Sequence, residues 1–343
     1  MNDAIGRRAF LGTSAAAAMA FPDAMRGRPP EQAKPKVKRI AIEEHWTSED
    51  VRLAIQRPKA ANTDRQADLG EIRLKEMDAA GITMQVIANS SYQGITDVSK
   101  AVDLAEANND HLAERIAQHP DRFAGFAALP TQDPKAAAKE LERAVRKLGL
   151  KGAMIEGQDH ANWEYLDSQR FWGLWECAAS LEVPIYLHPN NFSLETYKLV
   201  DGHPELQNLM WSGGVYTATQ TLRIIGSGVF DAFPKAKLIL GHLGELLPYW
   251  LGRLDEGRGA WKTVKNPPSA YIKENVYVST SGHYHPEALI CAISALGADH
   301  VLFATDYAAV DGKLAVELFE RTAISDPDRE KIYHLNAEKL LRL

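Results

Sequence analysis

The stretch Val37–Trp46, VKRIAIEEHW, is a short apolar run that breaks abruptly into Glu43, Glu44 and His45. Side chains of an extended strand alternate faces, so Glu43 and His45 point the same way at its end, a carboxylate beside an imidazole. Taken alone, such a pair reads first as a polar strand end facing water. If the strand belongs to a parallel barrel, however, its carboxyl end is the active-site face and the pair becomes half of a metal site. The remainder of the chain decides between these readings.

Downstream, apolar runs and helical periodicity alternate. A helical pattern over residues 66–80 stops at Gly81 and is followed by the strand MQVIANS; a helix over 99–118 leads to the strand RFAGFAAL, and one over 134–147 to LKGAMIEG. Helices over 171–181 and 217–227 lead into VPIYLHP and KLILGHLG, and the strands NVYVSTSG and HVLFATDY are followed by helices after Pro286 and Gly312. Eight strands each followed by a helix indicate an α/β protein, a (β/α)8 TIM barrel over residues 37–343, ahead of a doubly wound open sheet. The segment from His188 to Thr217 is too long for an ordinary connection and reads as a functional loop or lid. Residues 326–343 read as two short helices on the barrel's outside.

With the strands placed, their polar ends fall on one rim: Glu43 and His45 after the first, His188 after the fifth, His242 after the sixth and Asp306 after the eighth. Any one of these alone is an ordinary hydrogen-bonded rim residue, but several metal-competent side chains on one barrel face point to a site. Two carboxylates and two imidazoles suit one divalent ion, Zn²⁺ or Mn²⁺, and the lack of thiolate argues against iron–sulfur or cysteine–zinc chemistry.

Composition narrows the partners. The formal net charge of -6 and the absence of a long basic run argue against nucleic acid. The two cysteines, Cys177 and Cys291, lie in separate apolar helical stretches and read as core residues, not as a disulfide or a zinc knuckle. At the N-terminus, Arg7-Arg8-Ala9-Phe10-Leu11 precedes an Ala-rich run ending Ala18-Met19-Ala20. This resembles a twin-arginine export signal over residues 1–20, implying a periplasmic or secreted protein with no membrane span after cleavage; a basic tail beside an Ala-rich helix is the plainer alternative. Residues 21–36, rich in Pro, Arg and Lys, read as a linker.

Four motifs, E-E-H-W (43–46), Y-L-H-P (186–189), L-G-H-L-G-E (240–245) and F-A-T-D (303–306), resemble the amidohydrolase superfamily. More narrowly, they resemble its metal-dependent hydroxybenzoate decarboxylases of the γ-resorcylate and 2,3-dihydroxybenzoate type. The likeness runs from Arg39 to Leu343 and includes DGHPELQNLMW, LPYWLGRLDEGR and the closing NAEKLLRL. The resemblance implies Glu43, His45, His188 and Asp306 as metal ligands, with Glu43 where general hydrolases of the superfamily carry His. It also implies Asp306 as proton donor, His242 as the group contacting the substrate's carboxylate or phenolic oxygen, Glu245 as its partner and Arg253 in the same network. Glu245, three residues after His242 at an expected helix start, is placed to hold one imidazole nitrogen; a first-turn glutamate acting on the helix by charge alone is the other reading. The implied activity is non-oxidative decarboxylation of a small hydroxylated aromatic acid by a homodimer or higher homo-oligomer. A metal-dependent amide, ester or lactone hydrolase and a non-catalytic binding protein are the alternatives on the same fold. The chain departs from the decarboxylase pattern at Asn89–Gln93, Glu156-Gly157, His283-Tyr284 and Tyr307-Ala308, positions that line the rim.

Overall fold

Among the described residues eight parallel strands carry the fold: β1 (Ile40–His45), β2 (Met84–Ala88), β3 (Phe123–Gly125), β4 (Ala153–Ile155), β5 (Pro184–Leu187), β6 (Lys237–Leu240), β7 (Val276–Ser279) and β8 (Val301–Leu302). The structure, a computed structural model, describes residues 37–56, 58–89, 95–156, 158–159, 164–189, 200–207 and 209–343. The signal-like segment 1–20, the linker 21–36, the rim positions 90–93 and 157, and residues 190–199 and 208 of the long loop lie outside the described residues. Strands β1–β3 form one parallel ladder and β4–β8 another, each in chain order. The two ladders meet at two seams through single bridges, Ala127 with Ala153 and Glu44 with Tyr307. Helices between successive strands cover the outside, the arrangement of a (β/α)8 barrel. No helix of the described residues is long and apolar enough to cross a membrane.

Because both faces of each strand are buried, the strands read as continuous apolar runs. Val86, Ala88, Phe126, Met154, Tyr186 and Ile239 fill the barrel interior, whereas Ile87, Ile185, Leu187, Leu238 and Val278 pack outward against the helices. One irregularity matters for the site. The register between β1 and β2 slips by one residue between Ala41 and Glu44. A bulge of this kind re-aims the side chains beyond it, so Ile40 and Ile42 fill the interior, Glu43 and His45 reach the same interior above them, and Glu44 turns into the barrel wall.

Several elements differ from their sequence reading. The helix expected over 66–80 is two, Thr63–Ala67 and Glu71–Ala80, because the Asp68 carboxylate accepts the Arg73 N–H (2.9 Å) and starts a new helix. Strand β8 stops at Leu302 because the Phe303 N–H turns to the carbonyl of Ile332 (3.0 Å) and the Ala304 N–H to Thr280 Oγ1 (3.0 Å). The C-terminal helix Asn336–Leu341 is not simply an outer layer. Ala337 and Leu341 join the interior cluster, and Asn336 Nδ2 donates to the carbonyls of Ala298 and Val301 (both 2.7 Å), so this helix stoppers the amino-terminal end of the barrel. Cys177 and Cys291 are free and half-buried, on helices at the barrel's exterior, and not core residues.

Candidate metal centre

Above the interior apolar layer, the carboxyl ends of β1 and β5 bring Glu43, His45 and His188 into mutual reach. His188 Nε2 lies 3.5 Å from Glu43 Oε1, His45 Nε2 lies 3.9 Å from the same oxygen, and the two imidazoles meet edge to face at 4.7 Å. Asp306, four residues past β8, joins through His45, its Oδ1 lying 3.3 Å from Nε2. Ligands about 2.1 Å from an ion at tetrahedral angles stand about 3.4 Å apart, so these separations are of the size a bound ion requires.

The environment of Glu43 strengthens that fit. Its Oε2 accepts from Tyr186 Oη and from Ser279 Oγ (3.1 Å), which also contact each other at 2.8 Å. Its Oε1 is buried with no hydrogen-bond donor. A buried carboxylate oxygen without a donor is costly unless a cation faces it, and Oε1 faces the two imidazoles. Tyr186 and Ser279 were assigned no role from sequence, although Tyr186 precedes His188 by two residues and therefore shares its face.

Charge is distributed unevenly among the imidazoles. Burial, together with the nearby His45 and His242, holds His188 well below the usual histidine value, leaving it neutral and competent as a ligand. Burial also opposes charge on His45, but the hydrogen bond and charge of Asp306 outweigh it and raise its value. Asp306 moves the opposite way: burial would raise it, and the hydrogen bond from His45 with the other imidazoles brings it below the carboxylate range. In the metal-free chain these shifts favour a protonated His45 beside an ionised Asp306, where a cation would supply the positive charge instead.

His242 stands just after β6 and is held by Glu245, whose Oε1 lies 2.7 Å from Nδ1. Burial disfavours the imidazolium, but the Glu245 hydrogen bond and the charges of Glu43, Glu245 and Asp306 prevail and push His242 up to about 9. The turn that presents the pair is strained: His242, Leu243 and Glu245 all have left-handed φ, of 50°, 56° and 57°, as does Asp306 at 59°. Non-glycine residues hold such angles only where their surroundings enforce them, at about 1–3 kcal/mol each. Two glycines let the walls approach. A Cβ on Gly241 would stand 3.1 Å from Glu43 Oε2, and one on Gly282, itself at φ 59°, would stand 3.1 Å from His242 Cδ2 and 3.3 Å from Asp306 Oδ2.

Arg253 does not join this network. It projects from the helix Leu247–Glu256 with its side chain 75% exposed and pairs with Glu256 at 3.2 Å. That helix buries Leu247, Pro248 and Leu251, and two residues beyond Leu251 a helix has turned about 200°, which faces Arg253 to solvent. Of the rim departures, His283 Nδ1 lies 3.5 Å from the His242 carbonyl and Tyr284 Oη donates to the Thr305 carbonyl at 2.8 Å.

A family model described as amidohydrolase matches residues 32–343. The chain belongs to the amidohydrolase family. Within that family it is 40% identical over 322 residues to the γ-resorcylate decarboxylase of Polaromonas sp. strain JS666, covering 89% of this chain and 98% of that protein. The solved dihydroxybenzoic acid decarboxylase of Polaromonas sp. JS666, with bound manganese and the inhibitor 2-nitroresorcinol, superposes with a TM-score of 0.83 at 39% identity, covering 89% of this chain and 97% of that one. The 2,6-dihydroxybenzoate decarboxylase from Rhizobium gives a TM-score of 0.82 at 38% identity, over 89% of this chain and 98% of that one. This amidohydrolase is thus similar along nearly all of its described length to enzymes named for removing a carboxyl group from dihydroxylated rings.

Proposed function

We propose that this amidohydrolase is a metal-dependent, non-oxidative decarboxylase of a hydroxylated benzoate. The observation that carries the reading is the buried, donor-free Glu43 Oε1 facing His45 and His188 in a chain 40% identical to a γ-resorcylate decarboxylase. Glu43, His45, His188 and Asp306 would hold one divalent ion; the bound manganese of the Polaromonas enzyme favours Mn²⁺. When bound, the ion would supply positive charge to the substrate's oxygens.

The residues supply the remaining chemistry. Losing CO₂ directly from an arene would leave an electron pair in an aryl σ orbital, so the ring carbon bearing the carboxylate is protonated first. Asp306, held ionised beside His45, is the donor in this reading once it has taken up a proton relayed from water or from the substrate's own hydroxyl. His242, held charged by Glu245, binds the developing negative charge on the substrate oxygens. The C–C bond then breaks, its electrons restore the aromatic ring, and CO₂ leaves. Export is part of the same proposal, supported by Arg7-Arg8-x-Phe10-Leu11 and the Ala-rich run, as is self-association into a homodimer or larger homo-oligomer.

The test is to incubate purified, manganese-loaded protein with a panel of hydroxybenzoates and follow ring absorbance and CO₂. Release from acids carrying a hydroxyl beside the carboxyl group is expected. Inertness toward the panel together with hydrolysis of amide or lactone probes would replace the proposal with a hydrolase.

A further inference from the structure

Behind the site, inside the barrel wall, lies a buried polar chain that the chemistry above does not use. Glu44, Arg73, Gln85 and Thr305 are at most 2% exposed. Glu44 Oε1 accepts from the Thr305 N–H (2.8 Å), and its Oε2 accepts from Thr305 Oγ1 (2.6 Å) and Gln85 Nε2 (2.9 Å). Gln85 Oε1 in turn accepts from Arg73 Nη1 (3.3 Å), whose Nη2 donates to the His45 carbonyl (2.7 Å). The guanidinium lies on the Tyr307 ring, 4.0 Å from its centroid. Apolar residues of similar volume would serve stability as well as such a buried charged set, so its position calls for another account.

That position is the seam between β8 and β1, where the ladder is reduced to a single bridge. Two main-chain bonds cross it, from the Ile42 N–H to the Phe303 carbonyl (3.1 Å) and from the His45 N–H to the Tyr307 carbonyl (2.8 Å), and the polar chain adds side-chain bonds at the same place. Two of the polar chain's bonds fall on the backbone beside His45 and Asp306: Arg73 Nη2 donates to the carbonyl of His45 (2.7 Å) on one side, and the N–H of Thr305 donates to Glu44 (2.8 Å) on the other.

We propose that Arg73, Gln85, Glu44 and Thr305 form a clamp across this seam that positions His45 against Asp306 and so sets the affinity and geometry of the metal site. The proposal rests on the reading of Glu43, His45 and His188 as ion-holding residues. The four are positioning residues, acting through the backbone and touching neither ion nor substrate. Partners at this remove from a metal commonly change affinity by 10–100-fold.

The test compares full-length wild-type protein with Glu44→Gln and Thr305→Val, near-isosteric changes that respectively misplace a donor in the chain and delete one. Mn²⁺ affinity is measured by chelator competition, and ligand geometry by the visible d–d bands of the cobalt-loaded protein, in variants whose circular dichroism shows a native fold. Mn²⁺ binding weaker by about tenfold in Glu44→Gln and by a smaller factor in Thr305→Val, with shifted cobalt bands, supports the clamp. Lower thermal stability with unchanged Mn²⁺ affinity and unchanged bands in both folded variants overturns it and leaves the metal reading standing. Wild-type protein that takes up no divalent ion overturns the metal reading and the clamp with it.

Discussion

At the scale of single residues, the site's donors have separable duties that substitution can resolve. His188 offers Nε2 to the Glu43 oxygen at 3.5 Å and is held neutral by burial. A site of roughly four protein ligands cannot easily spare one, so purified wild-type protein should carry about one divalent ion per chain and His188→Ala should lose most of it, as elemental analysis would show. His242 is expected to act on substrate instead: His242→Asn should keep metal and fold while turnover falls about a hundredfold or more. Because Glu245 acts by holding His242, Glu245→Gln should be milder and the double variant little worse than His242→Asn alone; additive losses in kcat would dissociate the pair. The pair also has a pH signature. His242 titrates near 9, above its ordinary value of 6.5, so in metal-free protein its contribution to stability is fully present below about pH 6.5 and is lost as pH rises through about 9. Glu245→Gln should bring the His242 titration back toward the ordinary range, read by NMR of the ring; an unmoved titration would leave Glu245 out of the cause.

At the scale of elements, the one-residue slip in β1 turns an apolar strand into a ligand-bearing one, lifting Glu43 and His45 above Ile42 on the same interior face. The C-terminal helix Asn336–Leu341 does unrelated work at the other end, where Leu341 is 3% exposed within the interior cluster. Removing a buried leucine's side chain costs about 2–5 kcal/mol, so Leu341→Ala should lower the unfolding free energy by that order while Mn²⁺ affinity stays at the wild-type value. A parallel fall in affinity in the folded variant would mean that the two ends of the barrel are coupled.

At the scale of the whole molecule, the described residues from Val37 to Leu343 form one unit, and the stretch proposed as an export signal lies ahead of it in sequence. Replacing Arg7 and Arg8 together with Lys should therefore leave the barrel able to fold and take up metal but strand it in the cytoplasm; unchanged periplasmic recovery would remove the twin-arginine reading. Self-association belongs to this scale too. Tyr249 and Trp250, 82% and 48% exposed, stand on the same helix as the outward-facing Arg253, and sedimentation of the wild-type protein tests the proposed self-association: a monomer would overturn it.

The sequence by itself determined the barrel, because eight apolar runs with both faces buried, each followed by an amphipathic helix, leave few architectures that bury all of them. It also marked Glu43, His45, His188, His242 and Asp306, because each stands where an apolar run ends and strand polarity sends those ends to one rim; Glu245 was legible only through the family resemblance and its place three residues after His242. What it left open depended on contacts between distant elements. Arg253 belongs to a helix whose facing is set by which residues pack beneath it, and the bulge in β1 shows only against the register of β2. The donors Tyr186 and Ser279 converge on Glu43 from strands 143 and 236 residues away, and Glu44 reaches Thr305 across 261 residues. A polar side chain inside an apolar strand carries no local sign of its partner; only the closing of the wall around it decides whether it is a support or a cost.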